Sequence, residues 1–308
     1  MTYRLGIDLG GTSAKMAVVN SKNQIMREGS VQTSDNPSPS KLVQQLARVG
    51  KLLMKGYSVK NVGVGVAGDI DFDNGIIRFS PNLHWKRVPL KKLMIKAFHR
   101  QVVVDNDANV TAWGIYKTQA PPKTKHVIVV TLGTGVGGGI ILDGKLYRGA
   151  TGTAGEIGHL IMKEDGRKCN CGDAGCLETY SGGFHVTKAV RKDLEKGQKS
   201  RLRTLFDRDP DQISPYAISQ AAKQGDRYAL GVWNGIGHHL GLALGNLIYV
   251  FNPQMIFIAG GVAQAGSLIL KPLWGTLKKR SFPVPIHAVK IRIAKNAAHM
   301  GVIGASLL

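Results

Sequence analysis

The first third of the chain alternates short apolar runs with polar breaks. Residues 3–8 and 14–20 read as strands, joined by the Gly-rich turn inside "GIDLGGT". In residues 40–55 the spacing changes to a helical one. Leu42, Val43, Leu46, Val49, Leu52 and Leu53 form a stripe behind a Ser cap. "VGVGVAG" (62–68) and "QVVVDND" (101–107) read as buried strands that end in polar residues. "NDANVTAWGIYK" then takes on helical character. The Pro-containing stretch 118–125 breaks the pattern and predicts a domain boundary.

The pattern then restarts. "VIVVTLGTGVGGGIILDGKLY" (127–147) holds two apolar runs around a Gly/Thr turn, and Asp143-Gly144 signals a hairpin. Asp8-Leu9-Gly10-Gly11-Thr12 aligns with Thr131-Leu132-Gly133-Thr134-Gly135. Residues 181–250 read as mostly helical, 252–263 as a turn, a buried strand and a glycine pair, and the last segment as a small-residue helix. Strands and helices are interleaved, so the fold class is α/β. The repeat of a strand–turn–strand unit predicts two similar lobes facing each other across a cleft.

The glycines have a chemical reading. Backbone N–H groups reach phosphate oxygens only where no Cβ intervenes, and Thr12 and Thr134 add hydroxyl donors. The P-loop pattern G-x-x-x-x-G-K-[ST] is absent. A Rossmann fingerprint needs its turn to open a helix, whereas "AKMAVV" after Thr12 stays β-rich. Two β-hairpins gripping one nucleotide is an arrangement similar to that of actin-like and sugar-kinase ATPases. Asp8, beside the first turn, is then a carboxylate for the Mg²⁺ of a nucleotide, through water; its plainer role is to cap the turn.

Composition narrows the partners. Hydrophobic content of 43% and charged content of 20% are ordinary for a globular protein, and 6% aromatics disfavour a base-stacking surface. Asp8 and its glycines break any secretory h-region, so no such segment is expected there, and the longest apolar run, 235–251, is interrupted by His238, His239 and Asn246. The cytoplasm is expected. Net charge is +21, but the cations are spread over 86–100, 188–203 and 278–295. They read as a basic surface rather than a nucleic-acid face.

Cys169, Cys171 and Cys176 all lie within eight residues of sequence. Such clustering in a reducing compartment predicts a metal site rather than disulfides. Zinc wants a fourth ligand, and His159 is the candidate; an iron–sulfur cluster would usually take four cysteines. Saturated by protein, the zinc is expected to be structural. Glu156, His159 and Glu178 flank the loop and offer recognition groups for a polyol. A third place of interest is the strand end at Asp105, Asn106 and Asp107. Asp107 is a candidate general base for a hydroxyl and Asn106 a group that orients it. Equally, Asp107 is placed to be no more than a helix N-cap.

These motifs together resemble the ROK family of bacterial sugar kinases and repressors, from "GIDLGGT" to "GVIGA". "DNDAN", "TLGTGVGGGI", "GEIGH" and "CNCGDAGCLET" carry the resemblance, in family order. It implies an actin-like (ribonuclease H-like) ATPase fold and a homodimer. A small lobe over 1–117 is joined by a returning helix at 296–308, and a large lobe with the zinc loop covers 118–295. It implies Asp107 as catalytic base, and Asn82, Asn106, Asp107, Glu156, His159 and Glu178 as hexose contacts. His159, Cys169, Cys171 and Cys176 would bind zinc. Asp8, Gly10, Gly11, Thr12, Lys15, Gly133, Thr134 and Gly135 would serve the phosphates of Mg-ATP, with Gly260 and Gly261 near the adenosine. One departure is Ala67, where the family usually has Pro.

The function implied is phosphorylation of a hexose 6-hydroxyl, with glucose first. Kinases for N-acetylglucosamine, N-acetylmannosamine, mannose and fructose share much of the pattern, and polyphosphate is the alternative donor. The family's repressors resemble the kinases with an added winged helix. The first strand begins by residue 3, ahead of which none is expected.

Overall fold

The computed structural model describes residues 2–34 and 38–308. The chain opens with β1 (Tyr3–Leu9), β2 (Ser13–Val19) and β3 (Ile25–Gln32), then α1 (Pro39–Met54) and β4 (Val59–Val66). A small meander follows, β5 (Asp69–Asp71), β6 (Ile76–Ser80) and β7 (Trp85–Val88). It leads to α2 (Leu90–Phe98), β8 (Gln101–Asn106) and α3 (Asp107–Gln119). The strand pattern restarts with β9 (Val127–Leu132), β10 (Val136–Leu142) and β11 (Lys145–Tyr147). Beyond an irregular loop come α4 (Glu178–Ser181), α5 (Gly183–Glu195), α6 (Arg203–Arg208), α7 (Pro215–Lys223) and α8 (Arg227–Phe251). The chain finishes with β12 (Met255–Ala259), α9 (Ser267–Leu277), α10 (Pro283–Ala288), β13 (Lys290–Ile293) and α11 (Ala297–Ser306).

The repeat legible in the sequence is a repeat of topology. One five-stranded sheet has the order β3-β2-β1-β4-β8, the other β11-β10-β9-β12-β13. In each, the third strand lies outermost, the first is central, and a parallel pair completes the sheet. β1 runs antiparallel to β2 and parallel to β4, and β4 parallel to β8. β12 runs parallel to both β9 and β13, and β10 antiparallel to β11. Every residue of β12 is buried, as expected for a parallel strand covered on both faces. The Asp143-Gly144 hairpin forms with both residues at positive φ, the twist-matching turn that joins β10 to β11.

The chain divides into two compact units. The first comprises everything up to Lys125, together with Gly139–Gly155 and Lys295–Leu308; the second comprises His126–Gly138 and Glu156–Ala294. This differs from a boundary after residue 117 in two ways. Helix α3 runs on to Gln119, and Tyr116 Oη donates to Thr124 O at 2.9 Å, so the Pro-containing stretch stays with the first unit. The segment 139–155 returns to it because Gly139 lies against Ala108 and Ala112 of α3 and Arg148 pairs with Asp105. Helix α11 packs on α3, β1 and β4.

The first unit's core joins Leu5, Ile7, Val62 and Val64 of the sheet to Leu42 and Leu46 of α1. Helix α1 starts at Pro39; Ser38 takes the cap position, but its side chain makes no cap bond. Of the expected stripe, Leu52 is 65% exposed, while Ala47 and Gly50 are buried instead. The three-stranded sheet of β5–β7 has no counterpart in the sequence-based expectation. The second unit's core is centred on β9, β12 and α8, with Trp233 its largest fully buried side chain. No helix among the described residues is long and apolar enough to cross a membrane.

Candidate active site and metal centre

The first glycine turn, residues 10–12, hangs between β1 and β2. Gly10 N–H donates to Ser13 O at 3.1 Å, closing the turn. Thr33 braces it twice: its Oγ1 donates to Gly10 O at 2.9 Å and its N–H to Thr12 O at 2.9 Å. Gly11 has no room for a side chain. A Cβ there would stand 2.8 Å from both Cβ and the carbonyl oxygen of Asn82. The turn and the 81–84 loop that carries Asn82 are therefore in contact. Thr12 and Lys15 are exposed, and Lys15 sits opposite Asp8 in the β1–β2 register. Burial pushes the Asp8 carboxyl up to about 6; the nearby Asp107 adds to the rise and Lys15 opposes it. A half-buried carboxylate whose charge Lys15 only partly offsets suits the water shell of a cation, so Asp8 fits a role toward Mg²⁺.

At the end of β8 the structure overturns the reading of Asp107 as the N-cap of α3. Asn106 is the N-cap: its Oδ1 accepts from Ala108 N–H at 2.8 Å and from Asn109 N–H at 3.2 Å. Its Nδ2 donates to Gly68 O at 3.1 Å. Asp107 is the first helical residue, so its carboxylate is not consumed by capping. It is half-buried, and burial holds its carboxyl above the usual carboxylate range against the pull of backbone N–H groups at the helix start. The neighbouring Asp105 is fully buried and has a different job. Its Oδ2 takes Arg148 Nη2 at 2.8 Å and Nε at 2.9 Å, and its Oδ1 takes Asn106 N–H and Asn109 Nδ2. Arg148 also stacks on Phe72, 3.7 Å from the ring centre. This ion pair fixes the strand end that aims Asp107.

The second glycine turn, residues 133–135, is braced differently. Gly133 N–H donates to Gly135 O at 3.1 Å. Gly183 N–H and Phe184 N–H, at the start of α5, donate to Gly133 O and Thr134 O at 2.9 Å each. Glu178 Oε2 accepts Val136 N–H at 3.0 Å, and a Cβ on Gly135 would collide with that oxygen. Beside this turn is a cavity of about 1020 Å³ lined by Gly133, Thr134, Phe184, Lys188, Tyr216 and Gly261, among others. Gly260, at φ +96°, turns the chain from β12 toward it.

His159, Cys169, Cys171 and Cys176 converge, with their candidate ligand atoms all within 4.8 Å of one another. The Sγ atoms of Cys171 and Cys176 are 3.7 Å apart, and Cys169 Sγ is 3.8 Å from His159 Nδ1. Those are edge lengths of a tetrahedron about an ion with bonds of roughly 2.3 Å to sulfur and 2.0–2.1 Å to nitrogen. Burial and the adjacent thiols push Cys176 up to about 12, so three thiolates at this spacing call for a cation. The donor set therefore fits zinc. Nδ1 faces the thiols and Nε2 lies 3.9 Å from Glu156 Oε2, so a metal on the first leaves the second to donate. The loop is stitched by Met162 N–H to Gly175 O, Leu177 N–H to Leu160 O, and Cys169 N–H to Asp173 O, each at 2.8 Å.

Within the first unit the structure thus groups Asp8, Gly10, Gly11, Thr12, Lys15, Asn82, Asn106 and Asp107. Within the second, Glu178 joins the metal cluster of His159 to the turn of Gly133, Thr134 and Gly135. Sequence reasoning missed Thr33, the Asp105–Arg148 pair and the cavity side chains of α5 and α7. Their partners lie far away in the chain, and only a buried Asp beside a candidate base offered a signal.

A profile of the ROK family matches residues 4–308, and the chain belongs to that family. It is 33% identical to a glucokinase of Halalkalibacterium halodurans, over 99% of this chain and 94% of that one. It is 30% identical to a xylose repressor of Caldicellulosiruptor bescii, over 97% and 76%. A ROK family glucokinase from Streptomyces griseus, solved in complex with glucose and AMPPNP, superposes with a TM-score of 0.84 at 33% identity, covering 99% of this chain and 98% of that one. The fold is the actin-like ATPase fold.

Proposed function

We propose that this ROK protein is an ATP-dependent hexokinase that phosphorylates the 6-hydroxyl of glucose. One observation carries the reading. Asn106 performs the helix capping, which leaves the Asp107 carboxylate at the head of α3 for a substrate. Its raised proton affinity suits a general base. Asp107 takes the proton from the sugar hydroxyl as that oxygen forms a bond to the γ-phosphorus. The bond from that phosphorus to the β–γ bridging oxygen breaks, and ADP leaves with the electron pair. Asn82, Asn106, Glu156, His159 and Glu178 are proposed to hold sugar hydroxyls. The two glycine turns and Lys15 hold the phosphates, and Gly260 and Gly261 border the adenosine. Mg²⁺ bound with ATP would supply neutralisation of phosphate charge, and Asp8 is proposed to hold its water shell. Zinc would be held by His159, Cys169, Cys171 and Cys176, and would supply rigidity to the loop that carries Glu156 and Glu178.

The likeness to glucokinases over nearly the whole chain supports glucose as the acceptor. The likeness to a xylose repressor favours a second reading, a sugar-sensing regulator. ADP production by the zinc-loaded protein with Mg-ATP separates them. The panel is glucose, mannose, fructose, N-acetylglucosamine and N-acetylmannosamine, with polyphosphate as a second donor. Glucose-dependent turnover well above the other sugars is expected. Sugar binding with no turnover on any member would overturn the kinase reading in favour of the regulator.

A further inference from the structure

The carboxylate of Glu178 occupies a position that its expected sugar contact does not explain. Oε2 accepts the Val136 N–H at 3.0 Å and fills the space beside Gly135. Oε1 stands 4.0 Å from Cys169 Sγ and 4.0 Å from His185 Nε2. That imidazole nitrogen is buried and has no other partner among the described residues. The backbone around Glu178 is tied to the metal loop on both sides. Leu177 N–H donates to Leu160 O at 2.8 Å, next to His159. Thr179 sends its N–H (3.0 Å) and its hydroxyl (2.8 Å) to the carbonyl of Cys176. Thr179 and Cys176 are both fully buried, so this junction is rigid.

We infer that Glu178 is a positioning residue that transmits the state of the Cys/His metal site to the second glycine turn, so that metal loading sets nucleotide affinity as well as sugar affinity. The inference rests on the proposed role of that turn in holding phosphates. A bound metal fixes Cys176 and Cys169, the fixed thiols set the start of α4, and the carboxylate pins Val136 N–H. With that amide pinned, the 133–135 turn keeps its shape before a nucleotide arrives, which lowers the ordering cost of binding. Without the metal the loop loses its cross-link, and the backbone that carries the carboxylate is held by its hydrogen bonds to Leu160 and Cys176 alone.

The test is Mg-ADP binding by isothermal titration, without sugar, to wild type, Glu178→Gln and Glu178→Ala. Each is measured zinc-loaded and after zinc removal with restored Mg²⁺, with zinc content and thermal unfolding recorded. Zinc-loaded Glu178→Ala is expected to bind ADP about tenfold more weakly than wild type, the scale of one hydrogen bond to a charged group. Glu178→Gln keeps an acceptor for Val136 N–H and should recover most of that loss. Zinc removal should weaken wild type by a similar factor and leave Glu178→Ala nearly unchanged, since the connection is already cut. Equal ADP affinity in Glu178→Ala and wild type, or an equal zinc effect in both, overturns the inference alone. No ADP binding by zinc-loaded wild type overturns it together with the proposed kinase function.

Discussion

The turns at residues 10–12 and 133–135 occupy the same place in two sheets of the same strand order, yet they are held by different means. The first is braced by neutral groups: the Thr33 hydroxyl and amide, and the backbone of Asn82 pressed on Gly11. The second is braced by the first amides of α5 and by a carboxylate that abuts a Cys/His cluster. The comparison teaches that a repeated strand–turn–strand scaffold preserves where a turn lies and leaves its reinforcement free to diverge. The neutral brace belongs to the unit that also holds Asp107; the charged one belongs to the unit that holds the metal ligands.

The largest effect should come from the unit with the neutral brace. Asp107→Asn is expected to lower kcat by about 10²–10⁴-fold, the usual worth of a general base, with sugar affinity nearly unchanged and a melting temperature at neutral pH no lower than wild type, since a buried charge beside Asp8 is removed. Wild-type turnover in that variant would remove chemistry from the first unit altogether. Next come the paired variants Gly11→Ala and Gly135→Ala, compared by chemical denaturation and by ADP affinity. The new methyl at Gly11 meets Asn82 backbone, which cannot step aside, and should cost about 1–3 kcal/mol. At Gly135 it meets the far end of a flexible carboxylate. The fold should lose less there while ADP affinity falls. Equal stability losses would show that the two braces are equally stiff.

A pH series sharpens the contrast further. Asp8 has a folded pKa of about 6, above the ordinary value of 3.8, so the folded state binds more protons between those two values. Stability contributed by this group is therefore present at low pH and lost as pH rises from about 4 through about 6. Asp8→Asn should stabilise the ligand-free protein by about 1–2 kcal/mol at pH 7.5 and by nothing measurable at pH 4. A gain of the same size at both values would contradict the sign. The smallest effect is expected from Thr33→Val, which removes the hydroxyl on Gly10 O and should cost about 0.5–1.5 kcal/mol in thermal unfolding.

What could be read in the sequence was local. The two turns, the hairpin at Asp143-Gly144 and the C-x-C-x4-C cluster are patterns of neighbours, and each stands where its pattern placed it. The strands β5 and β7 are too short, at 3 and 4 residues, to carry an alternation. Asp107 could be read as either a base or a helix cap because Asp caps well; only the extended backbone of Asn106, at φ −66° and ψ 147°, puts the cap one residue earlier. The Asp105–Arg148 pair spans 43 residues and the Val136–Glu178 bond 42, so neither leaves a mark on local pattern. Leu52 kept the helical period but faces outward, since period alone does not say how wide the buried stripe is.

Helix α11 is drawn from residues 297–306 but completes the unit that begins with β1. Trp113 of α3 sends its indole N–H to Leu307 O, across 194 residues of sequence. During synthesis the first unit's sheet therefore waits with one face uncovered until nearly the whole chain has left the ribosome. The second unit is also late, since its last strand, β13, is complete only at Ile293, but its apolar segments are exposed for a shorter time than β1 and β4. The vulnerable interval in the life of this protein is set by that wait, and a chaperone acting on the nascent chain should find its apolar target in β1 and β4 rather than around the metal loop.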